Sequence, residues 1–153
     1  MVKSGEKNVC VNRRARHDYF IEETYEAGMV LRGSEVKSLR EGKANLKDSY
    51  DRIQKGEAYL LNTHISPYPA ANQFNHEPTR SRKLLLRKKE IERLSGKTKE
   101  RGLTLIPLRL YFKGGVAKVE LGLARGKKLY DKRETLKRRA AQREVERSLK
   151  SRS

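Results

Sequence analysis

Two stretches of alternating apolar residues in the second half of the chain predict a β-hairpin. Residues 103–112 and residues 116–124 both alternate, and Lys113-Gly114-Gly115 between them suits a tight turn. Residues 45–65 predict a second hairpin, which turns at Lys55-Gly56-Glu57. These patterns favour antiparallel pairing of neighbouring strands.

The rest of the pattern predicts one further strand region, two helices and a loop. Residues 17–31 are rich in aromatic and β-favouring side chains and predict one or two strands, with a bulge at Glu26-Ala27-Gly28. A short helix is expected to open at Gly33, with Ser34 as its N-cap. A longer helix is expected over residues 81–95, and the proline-rich residues 66–79 predict a long loop of the kind that often carries function.

These elements amount to about six strands with two or three helices between the hairpins, without βαβ alternation. An antiparallel sheet that closes into a small barrel buries such strands without leaving exposed edges. We therefore expect a mainly β fold over residues 1–124, an OB-fold-like antiparallel barrel with flanking short helices. Residues 1–11 are expected to be a flexible lead, in which only Val9-Cys10-Val11 is apolar and suited to an edge contact.

Residues 125–153 differ from this body and form a basic C-terminal tail. Its larger apolar residues and alanines give only a narrow stripe at helical spacing: Leu129, Leu136, Ala140, Ala141, Val145 and Leu149. Most of its residues are good helix formers, but a marginal helix on its own is weakly populated in water. We expect the tail to be disordered when free and helical when it is held against a phosphate-rich surface.

The net charge of the chain indicates which class of partner it binds. The chain has 37 Lys and Arg against 19 Asp and Glu, a formal net charge of +18, and the tail holds 12 of these basic and 4 of these acidic residues. This excess favours binding to polyanions, because neutralised phosphates release their counterions. Cys10 is the only cysteine, no signal peptide is visible, and no apolar run approaches the ~20 residues of a membrane helix. A cytoplasmic protein that does not bind membranes is expected.

Patterns of catalytic or metal-binding residues are missing from the sequence. The histidines, His17, His64 and His76, do not combine with Cys10 into a zinc-ligand spacing, and a surface or loop position suits them better than catalysis. Gly96-Lys97-Thr98 resembles the end of a phosphate-binding loop, but the first glycine of that motif is absent. We expect no enzymatic activity, no cofactor and no metal.

Three basic segments of the body point to RNA when they are taken together. They are the arm at residues 12–17, the pair Arg82-Lys83 and the run Arg87-Lys88-Lys89. Each alone is equally compatible with a solvated terminus or a solvated helix face. One polyanion could contact all three and the tail, which favours a nucleic-acid partner.

Four motifs, in order along the chain, resemble the SsrA-binding proteins, the small protein B family. They are residues 12–23 (NRRARHDYFIEE), 33–40 (GSEVKSLR), 82–86 (RKLLL) and 126–134 (GKKLYDKRE). Beyond the last motif, the tail resembles the family only in being basic and helix-prone.

The resemblance implies a bacterial cytoplasmic protein with an OB-like barrel. Members of this family bind the tRNA-like domain of transfer-messenger (SsrA) RNA. They help deliver that RNA, charged with alanine and bound by elongation factor Tu, to ribosomes stalled on messages without a stop codon. Trans-translation then tags the incomplete protein for proteolysis and frees the ribosome. The implied partners are transfer-messenger RNA, the small ribosomal subunit and, indirectly through the charged RNA, elongation factor Tu.

The resemblance also implies the residues that bind RNA. Those at matching positions or directly beside them are Asn12, Arg13, Arg14, Tyr19, Glu26, Lys83 and Leu85. The cations can neutralise phosphates, and Asn12 can pair with a base edge or a 2′-OH. Tyr19 and Leu85 can pack on bases or ribose, or they can fill the barrel wall. Glu26 must accept from base or ribose donors, or hold a neighbouring arginine.

For the tail, the resemblance implies entry into the decoding centre and the empty messenger channel of the small subunit. Tyr130 stands where an aromatic residue or histidine of the family stacks on a ribosomal RNA base, and Asp131-Lys132-Arg133 is the accompanying signature. A structural ribosomal protein with a basic extension buried in RNA is the alternative reading. An RNA-modifying enzyme is a third class, for which no cofactor pocket or catalytic constellation is visible.

Overall fold

A computed structural model describes the backbone of residues 5–100 and 102–152, and the side chains of these residues apart from 72–74, 128–134 and 151–152. The elements, in chain order, are β1 (Glu6–Val11), α1 (Ala15–Asp18), β2 (Tyr19–Met29), α2 (Gly33–Arg40), β3 (Ala44–Asn45), β4 (Tyr50–Gln54), β5 (Glu57–Leu61), β6 (His64–Ile65), a 3-10 helix (Pro69–Phe74), β7 (Arg82–Leu85), α3 (Lys88–Thr98), β8 (Leu103–Lys113), β9 (Val116–Gly126) and α4 (Lys127–Arg152).

Seven strands form one antiparallel sheet in the order β1-β8-β9-β2-β7-β5-β4, and β3 pairs with β6 beside it. The sheet curls, so that its edge strand β4 packs against β8 near the opposite edge. Leucines of the sheet fill the interior, and Leu39 of α2 and Leu94 of α3 join them in one buried cluster. The expectation of a mainly β fold, an antiparallel barrel-like sheet with flanking short helices, is confirmed.

Both predicted hairpins are present as β4–β5 and β8–β9. The central residues of their turns have positive φ, +51° and +75° at Lys55 and Gly56, and +57° and +78° at Gly114 and Gly115. Two successive positive φ values are typical of the tight hairpin turn whose twist matches the flanking strands. Glycine adopts this conformation without steric cost, which explains why these short sequences place the turns correctly.

The expectation that residues 1–11 form a flexible lead is wrong for residues 6–11. These residues form strand β1, which pairs antiparallel with β8. Val9 and Cys10 pack against the core. Burial raises the pKa of the Cys10 thiol to about 11, so this thiol stays protonated at neutral pH. The three apolar residues predicted an edge contact, but the partner strand lies far away in sequence.

The helix expected over residues 81–95 is wrong in its first half, where the chain forms β7 between β2 and β5. Arg82 and Leu84 are buried, whereas Lys83 and Leu85 are exposed, which is the two-residue period of a strand. Three consecutive leucines follow Lys83, and such a short apolar run fits a strand and a helix equally well. The helix α3 follows only after β7.

Two local predictions are also wrong. The irregular position in β2 lies around Glu22, whereas pairing with β9 is regular at Glu26-Ala27-Gly28. The N-cap of α2 is Arg32 rather than Ser34, and its backbone N–H donates to Oε1 of Glu35 at 2.8 Å. The carboxylate three residues into the helix therefore satisfies one of the N–H groups that a helix leaves unpaired at its start.

A buried cluster of charges ties α2 to the segment before β7. Arg82, which is 0% exposed, donates from Nε to Oε2 of Glu35 at 2.5 Å, from Nη1 to the Thr63 carbonyl at 2.6 Å and from Nη2 to the Pro78 carbonyl at 3.0 Å. Arg80 donates to the other Glu35 oxygen at 2.5 Å. Burial alone would raise the pKa of Glu35, but hydrogen bonds from Arg80, a backbone N–H and Arg82 outweigh it and lower that pKa. Glu35 is therefore an ionised carboxylate inside the fold.

The proline-rich segment, expected as a loop, is fixed by hydrogen bonds. His76 is buried between Ser34 and Ile65, with Nδ1 2.8 Å from the Ser34 hydroxyl and Nε2 2.8 Å from the Ile65 carbonyl. A carbonyl can only accept, so Nε2 donates to the Ile65 carbonyl, and in the neutral imidazole Nδ1 accepts from the Ser34 hydroxyl. Asn75 also exchanges two hydrogen bonds with the backbone of Tyr68. This segment therefore has a structural role.

The basic tail forms the helix α4, and the side chains of residues 135–150 are exposed. At its start, Lys127 donates to the Arg16 carbonyl at 2.8 Å and lies 5.2 Å from the centre of the Phe20 ring. These contacts define where α4 leaves the body. The expectation that the free tail is disordered stays a prediction.

Asp51 of β4 is a buried carboxyl group. It lies between exposed Tyr50 and Arg52, opposite the buried Leu60 of β5. Neither of its carboxylate oxygens has a hydrogen-bond partner among the described residues. Burial raises the pKa of Asp51 well above its ordinary value. An inward-pointing acid of this kind also discourages the edge strand from pairing with another chain.

Asp51→Asn is expected to raise the free energy of unfolding at neutral pH and to flatten its dependence on pH. A carboxyl whose pKa is raised by folding binds its proton more tightly in the folded chain. Stability therefore falls as pH rises above the ordinary value, by at most about 1.4 kcal/mol per pH unit. Urea unfolding between about pH 4 and pH 7 measures this slope. Asp48→Asn, at an exposed turn, is the control and should change stability by less than about 0.5 kcal/mol. An unchanged slope in Asp51→Asn would contradict the prediction.

Candidate RNA-binding surface

The residues predicted to bind RNA lie on two adjoining parts of the body. Glu26 of β2, together with Lys83 and Leu85 of β7, lies on the outer face of the sheet. The other four, Asn12, Arg13, Arg14 and Tyr19, lie around the turn between β1 and α1 and at the start of β2. The pairing of β2 with both β7 and β9 brings residues distant in sequence onto one surface.

Asn12 anchors the turn that carries the two arginines. Its backbone N–H donates to the Leu108 carbonyl at 2.8 Å, and Nδ2 donates to the Pro107 carbonyl at 2.9 Å. Arg13 and Arg14 follow in an exposed turn. The two hydrogen bonds therefore fix the base of a turn that presents both guanidinium groups to solvent.

The side chain of Tyr19 is packed on one side and exposed on the other. Its ring packs against a small buried cluster that includes Ala15, Ile106 and Ala124. It is only half-buried, so part of it still faces solvent. An aromatic ring that the core supports on one side is a rigid platform for a nucleic-acid base.

Leu85 lies on the outer face and is 55% exposed, which excludes the core position for it. It pairs with Gly28 across β7 and β2, and a Cβ built on Gly28 would lie 3.4 Å from the Leu85 Cβ. The Leu85 side chain therefore lies over Gly28 on the outer face of β2. An exposed leucine held in this way offers an apolar contact to a base or a ribose.

Side chains of β8, which lies two strands from β2 in the sheet, hold Glu26 in place. Oε2 of Glu26 accepts a hydrogen bond from the Tyr111 hydroxyl at 2.5 Å, and the ammonium group of Lys113 lies 3.4 Å away. The Tyr111 hydrogen bond is the main reason that the pKa of Glu26 is lowered. Glu26 is therefore an ionised and oriented acceptor, and its partners on β8 are a tyrosine and a lysine.

Arg109 ties the first strand to this surface. Its guanidinium group donates to Glu120 at 3.0 Å, to the Asn8 side chain at 2.7 Å and to Glu6 at 3.0 Å. The guanidinium carbon lies 3.9 Å from the centre of the Tyr111 ring, within the range of a cation–π contact. Arg109 and Tyr111 therefore form the support beneath Glu26.

A groove of about 450 Å³ lies beside the arginine turn. Its lining includes Asn12, Arg13, Arg109 and Glu120. Glu120 stands directly opposite Glu26 in the pairing of β9 with β2. Arg109 and Glu120 therefore connect the groove beside the arginine turn with Glu26 on the neighbouring strand.

Sequence reasoning missed Arg109, Tyr111 and Lys113, because none of them lies in a basic cluster or in a family motif. The alternation of β8 contained the signal. Arg109 and Tyr111 alternate with Leu110 and Phe112, which pack against the core, so they belong to the opposite face of the sheet, where Tyr111 is only 2% exposed. Which residues they meet depends on the order of strands, which alternation does not specify.

Lys83 makes an exposed ion pair with Glu57 at 3.1 Å. Exposed pairs contribute at most about 1 kcal/mol, so a phosphate can compete for this ammonium group. The predicted tail residues, Tyr130 and Asp131-Lys132-Arg133, have side chains that lie outside the described residues.

Among the side chains that the structure describes, no group of three or more His, Cys, Asp or Glu could hold a metal ion. Within the same part of the chain, every helix is too short or too polar to cross a membrane.

Comparison with known proteins connects this surface to a family. A family model described as "SmpB protein" matches residues 9–151. The chain is 64% identical to the "SsrA-binding protein" of Desulforudis audaxviator (strain MP104C) over 153 residues, which cover 100% of both chains. It is 60% identical to the protein of that name from Geobacillus thermodenitrificans (strain NG80-2) over 152 residues, 99% of this chain and 98% of the relative.

The fold has a match among solved structures. A chain from the structure described as "tmRNA-SmpB: a journey to the center of the bacterial ribosome" superimposes with a TM-score of 0.66 and 57% sequence identity. The match covers 77% of this chain and 83% of that chain. Because the family model spans most of the sequence and the relatives match it from end to end, the chain belongs to the SmpB protein family.

Proposed function

We propose that the chain binds the tRNA-like domain of transfer-messenger (SsrA) RNA and helps deliver it to stalled ribosomes for trans-translation. One observation carries this proposal. The residues that match the family's RNA-binding positions lie around the arginine turn, at the start of β2 and on the outer face of β2 and β7, in a chain whose relatives are named for binding SsrA RNA. The solved relative, whose description joins tmRNA, SmpB and the ribosome, supports both partners.

Each part of the surface fits a different group on RNA. Arg13, Arg14 and Lys83 can contact phosphates. Tyr19 can stack on a base, and the ionised Glu26 can accept from a base amino group or a 2′-OH. Asn12 can use its remaining hydrogen-bonding capacity in the same way, because Nδ2 has a second hydrogen beyond the one given to Pro107.

The tail has the second role. We propose that residues 125–153 are disordered in the free protein and become helical in the decoding centre and the empty messenger channel. There Tyr130 stacks on ribosomal RNA, and Asp131-Lys132-Arg133 accompanies it. The exposed side chains of residues 135–150 and the excess positive charge support this role. Elongation factor Tu is reached only through the charged RNA, and the chain works in the cytoplasm.

Sequencing the RNA that copurifies with the tagged chain from its own cells tests the proposal. One dominant transfer-messenger RNA is expected, together with a small fraction of ribosomes. A structural ribosomal protein would instead copurify with every small or large subunit at equal stoichiometry. Recovery of ribosomal RNA in one-to-one proportion with the chain, without transfer-messenger RNA, would contradict the proposal.

The double variant Arg13→Ala/Arg14→Ala is expected to weaken binding and to flatten its dependence on salt. Each lost phosphate contact reduces the slope of log K against log salt by about 0.7–0.9. Filter binding or fluorescence anisotropy over a range of potassium concentrations measures that slope. A matched control, Lys55→Ala/Lys99→Ala, removes the same charge at two exposed turns outside the predicted RNA-binding residues. Equal slopes for the two double variants would remove the arginines from the set of phosphate contacts.

A further inference from the structure

Tyr111 of β8 is a buried residue that holds one of the predicted RNA-binding side chains. It is 2% exposed, and its hydroxyl donates to Oε2 of Glu26 at 2.5 Å. Burial, followed by the hydrogen bond to Glu26, raises the pKa of Tyr111, so the hydroxyl keeps its proton and stays a donor at neutral pH. Tyr111 is itself too buried to offer RNA a contact, but it fixes one oxygen of a carboxylate that can bind RNA.

The ring of Tyr111 is fixed by Arg109, whose guanidinium carbon lies 3.9 Å from the centre of the ring. The same guanidinium group donates to Glu6 and Asn8 of β1 and to Glu120 of β9. A planar group that donates to three acceptors has little freedom to move. The strands on both sides of β8 therefore determine where the Tyr111 hydroxyl lies.

Lys113 is the other partner of Glu26, and its contact leaves the carboxylate more freedom. The ammonium group lies 3.4 Å from both carboxylate oxygens, and the Lys113 side chain is 53% exposed. Exposed ion pairs of this kind add little stability and are screened by salt. The hydrogen bond from Tyr111 is accordingly the contact that sets the direction of the carboxylate, and it leaves Oε1 for a donor on the RNA.

The direction of the Glu26 carboxylate matters because an ionised carboxylate beside RNA can repel as well as bind. It gains an interaction only where a base amino group or a 2′-OH donates to it, and it repels the phosphates. An RNA without a donor at that point would leave a fixed negative charge facing its backbone, which is a cost that rejects this RNA. A carboxylate free to rotate would turn away from such an RNA, and the discrimination would be lost.

We propose that Tyr111 is a positioning residue for RNA recognition. By holding Oε2 of Glu26, it directs Oε1 toward a donor group of the bound RNA and makes the surface reject RNA that lacks this donor. The role rests on the proposed function and adds to it a residue that does not touch the RNA. Tyr111 contributes selectivity rather than electrostatic attraction, because it brings no positive charge.

Tyr111→Phe removes only the hydroxyl and keeps the ring beneath Arg109. Its affinity for transfer-messenger RNA is expected to fall about three- to tenfold, in the range of a single hydrogen bond. The salt slope should not change, because no phosphate contact is lost. Affinity for an unrelated RNA of equal length should stay within about twofold of the wild-type value, since charge dominates non-specific binding. Fluorescence anisotropy with each labelled RNA measures these quantities.

Tyr25→Phe is the matched control. The Tyr25 hydroxyl donates at 2.5 Å to Glu23, which is another carboxylate of β2. Neither residue belongs to the predicted RNA-binding set, so this variant should bind both RNAs like the wild type.

A double-mutant cycle with Glu26→Ala separates positioning from a general effect on the fold. In the Glu26→Ala background, Tyr111→Phe should change the affinity by less than about twofold, because the group that Tyr111 orients is gone. A tyrosine that only stabilises the barrel would weaken binding equally in both backgrounds. The thermal unfolding midpoint of each variant records that stability.

Three results would overturn the role of Tyr111 and leave the proposed function standing. They are equal losses in both backgrounds, wild-type affinity in Tyr111→Phe or in Glu26→Ala, and an equal loss of affinity for both RNAs. Failure of the wild-type chain to bind transfer-messenger RNA is a different result, because it rejects the proposed function together with the role of Tyr111.

Discussion

Removing the chain from Asp131 onward is expected to abolish tagging on stalled ribosomes while RNA affinity at physiological salt changes by less than about threefold. The proposed contacts to the tRNA-like domain all belong to residues before the start of α4. The part of α4 whose side chains are described, residues 135–150, is exposed. A body that keeps its fold should therefore still bind the RNA, but it would have nothing to place in the messenger channel.

Two assays separate these effects. Anisotropy with labelled transfer-messenger RNA reports affinity, and a reconstituted translation reaction on a message without a stop codon reports tagging. The thermal unfolding midpoint of the truncated chain serves as the control for folding. A truncated chain that tags at the wild-type rate would contradict the role proposed for the tail, and one that loses RNA binding would move the RNA site into it.

Arg82→Ala is expected to cost about 3–5 kcal/mol of folding free energy, a large share of the stability of an ordinary domain. The substitution leaves Glu35 buried and ionised with only Arg80 as a charged partner. It also removes the donors to the Thr63 and Pro78 carbonyls. The cost comes from desolvated groups left without partners, since a buried ion pair itself adds little net stability. Urea unfolding at neutral pH measures the loss.

Lys83→Ala is the control from the same strand. Its ion pair with Glu57 is exposed, so the loss should be at most about 1 kcal/mol. Arg82→Lys keeps the charge but cannot reach three acceptors with a planar fork, and it should fall between the two. A cost for Arg82→Ala no larger than that for Lys83→Ala would show that the cluster does not hold α2 in place.

The parts of the fold that sequence predicted best are those with a local cause. The hairpins follow from alternation on both sides of glycine-containing turns, and both are present. Strand β7 was mistaken for a helix. Its two-residue alternation of buried and exposed side chains is visible only once Arg82 is known to point inward, and that orientation depends on the ion pair of Arg82 with Glu35 of α2. Strand β1 was taken for a flexible lead because its pairing with β8 closes a loop of about a hundred residues, which no local pattern records.

In the candidate site, too, features with a local cause were predictable, whereas features that depend on distant strands were not. Resemblance to a family supplied Asn12, Tyr19, Glu26 and Leu85, and the arginines beside Asn12 were visible as charge. Their surroundings were not predictable, because the tyrosine that orients Glu26 stands two strands away.

The distant pairing of β1 also bears on how the chain folds during its own synthesis. Both β1 and β2 are made early, but their partners are β8 and β9, which are the last strands to emerge. The barrel therefore cannot close until nearly the whole body has left the exit tunnel. Until then the β4–β5 hairpin and the helices have no completed core, so the nascent chain depends on a final, non-local step that is slower than local hairpin formation.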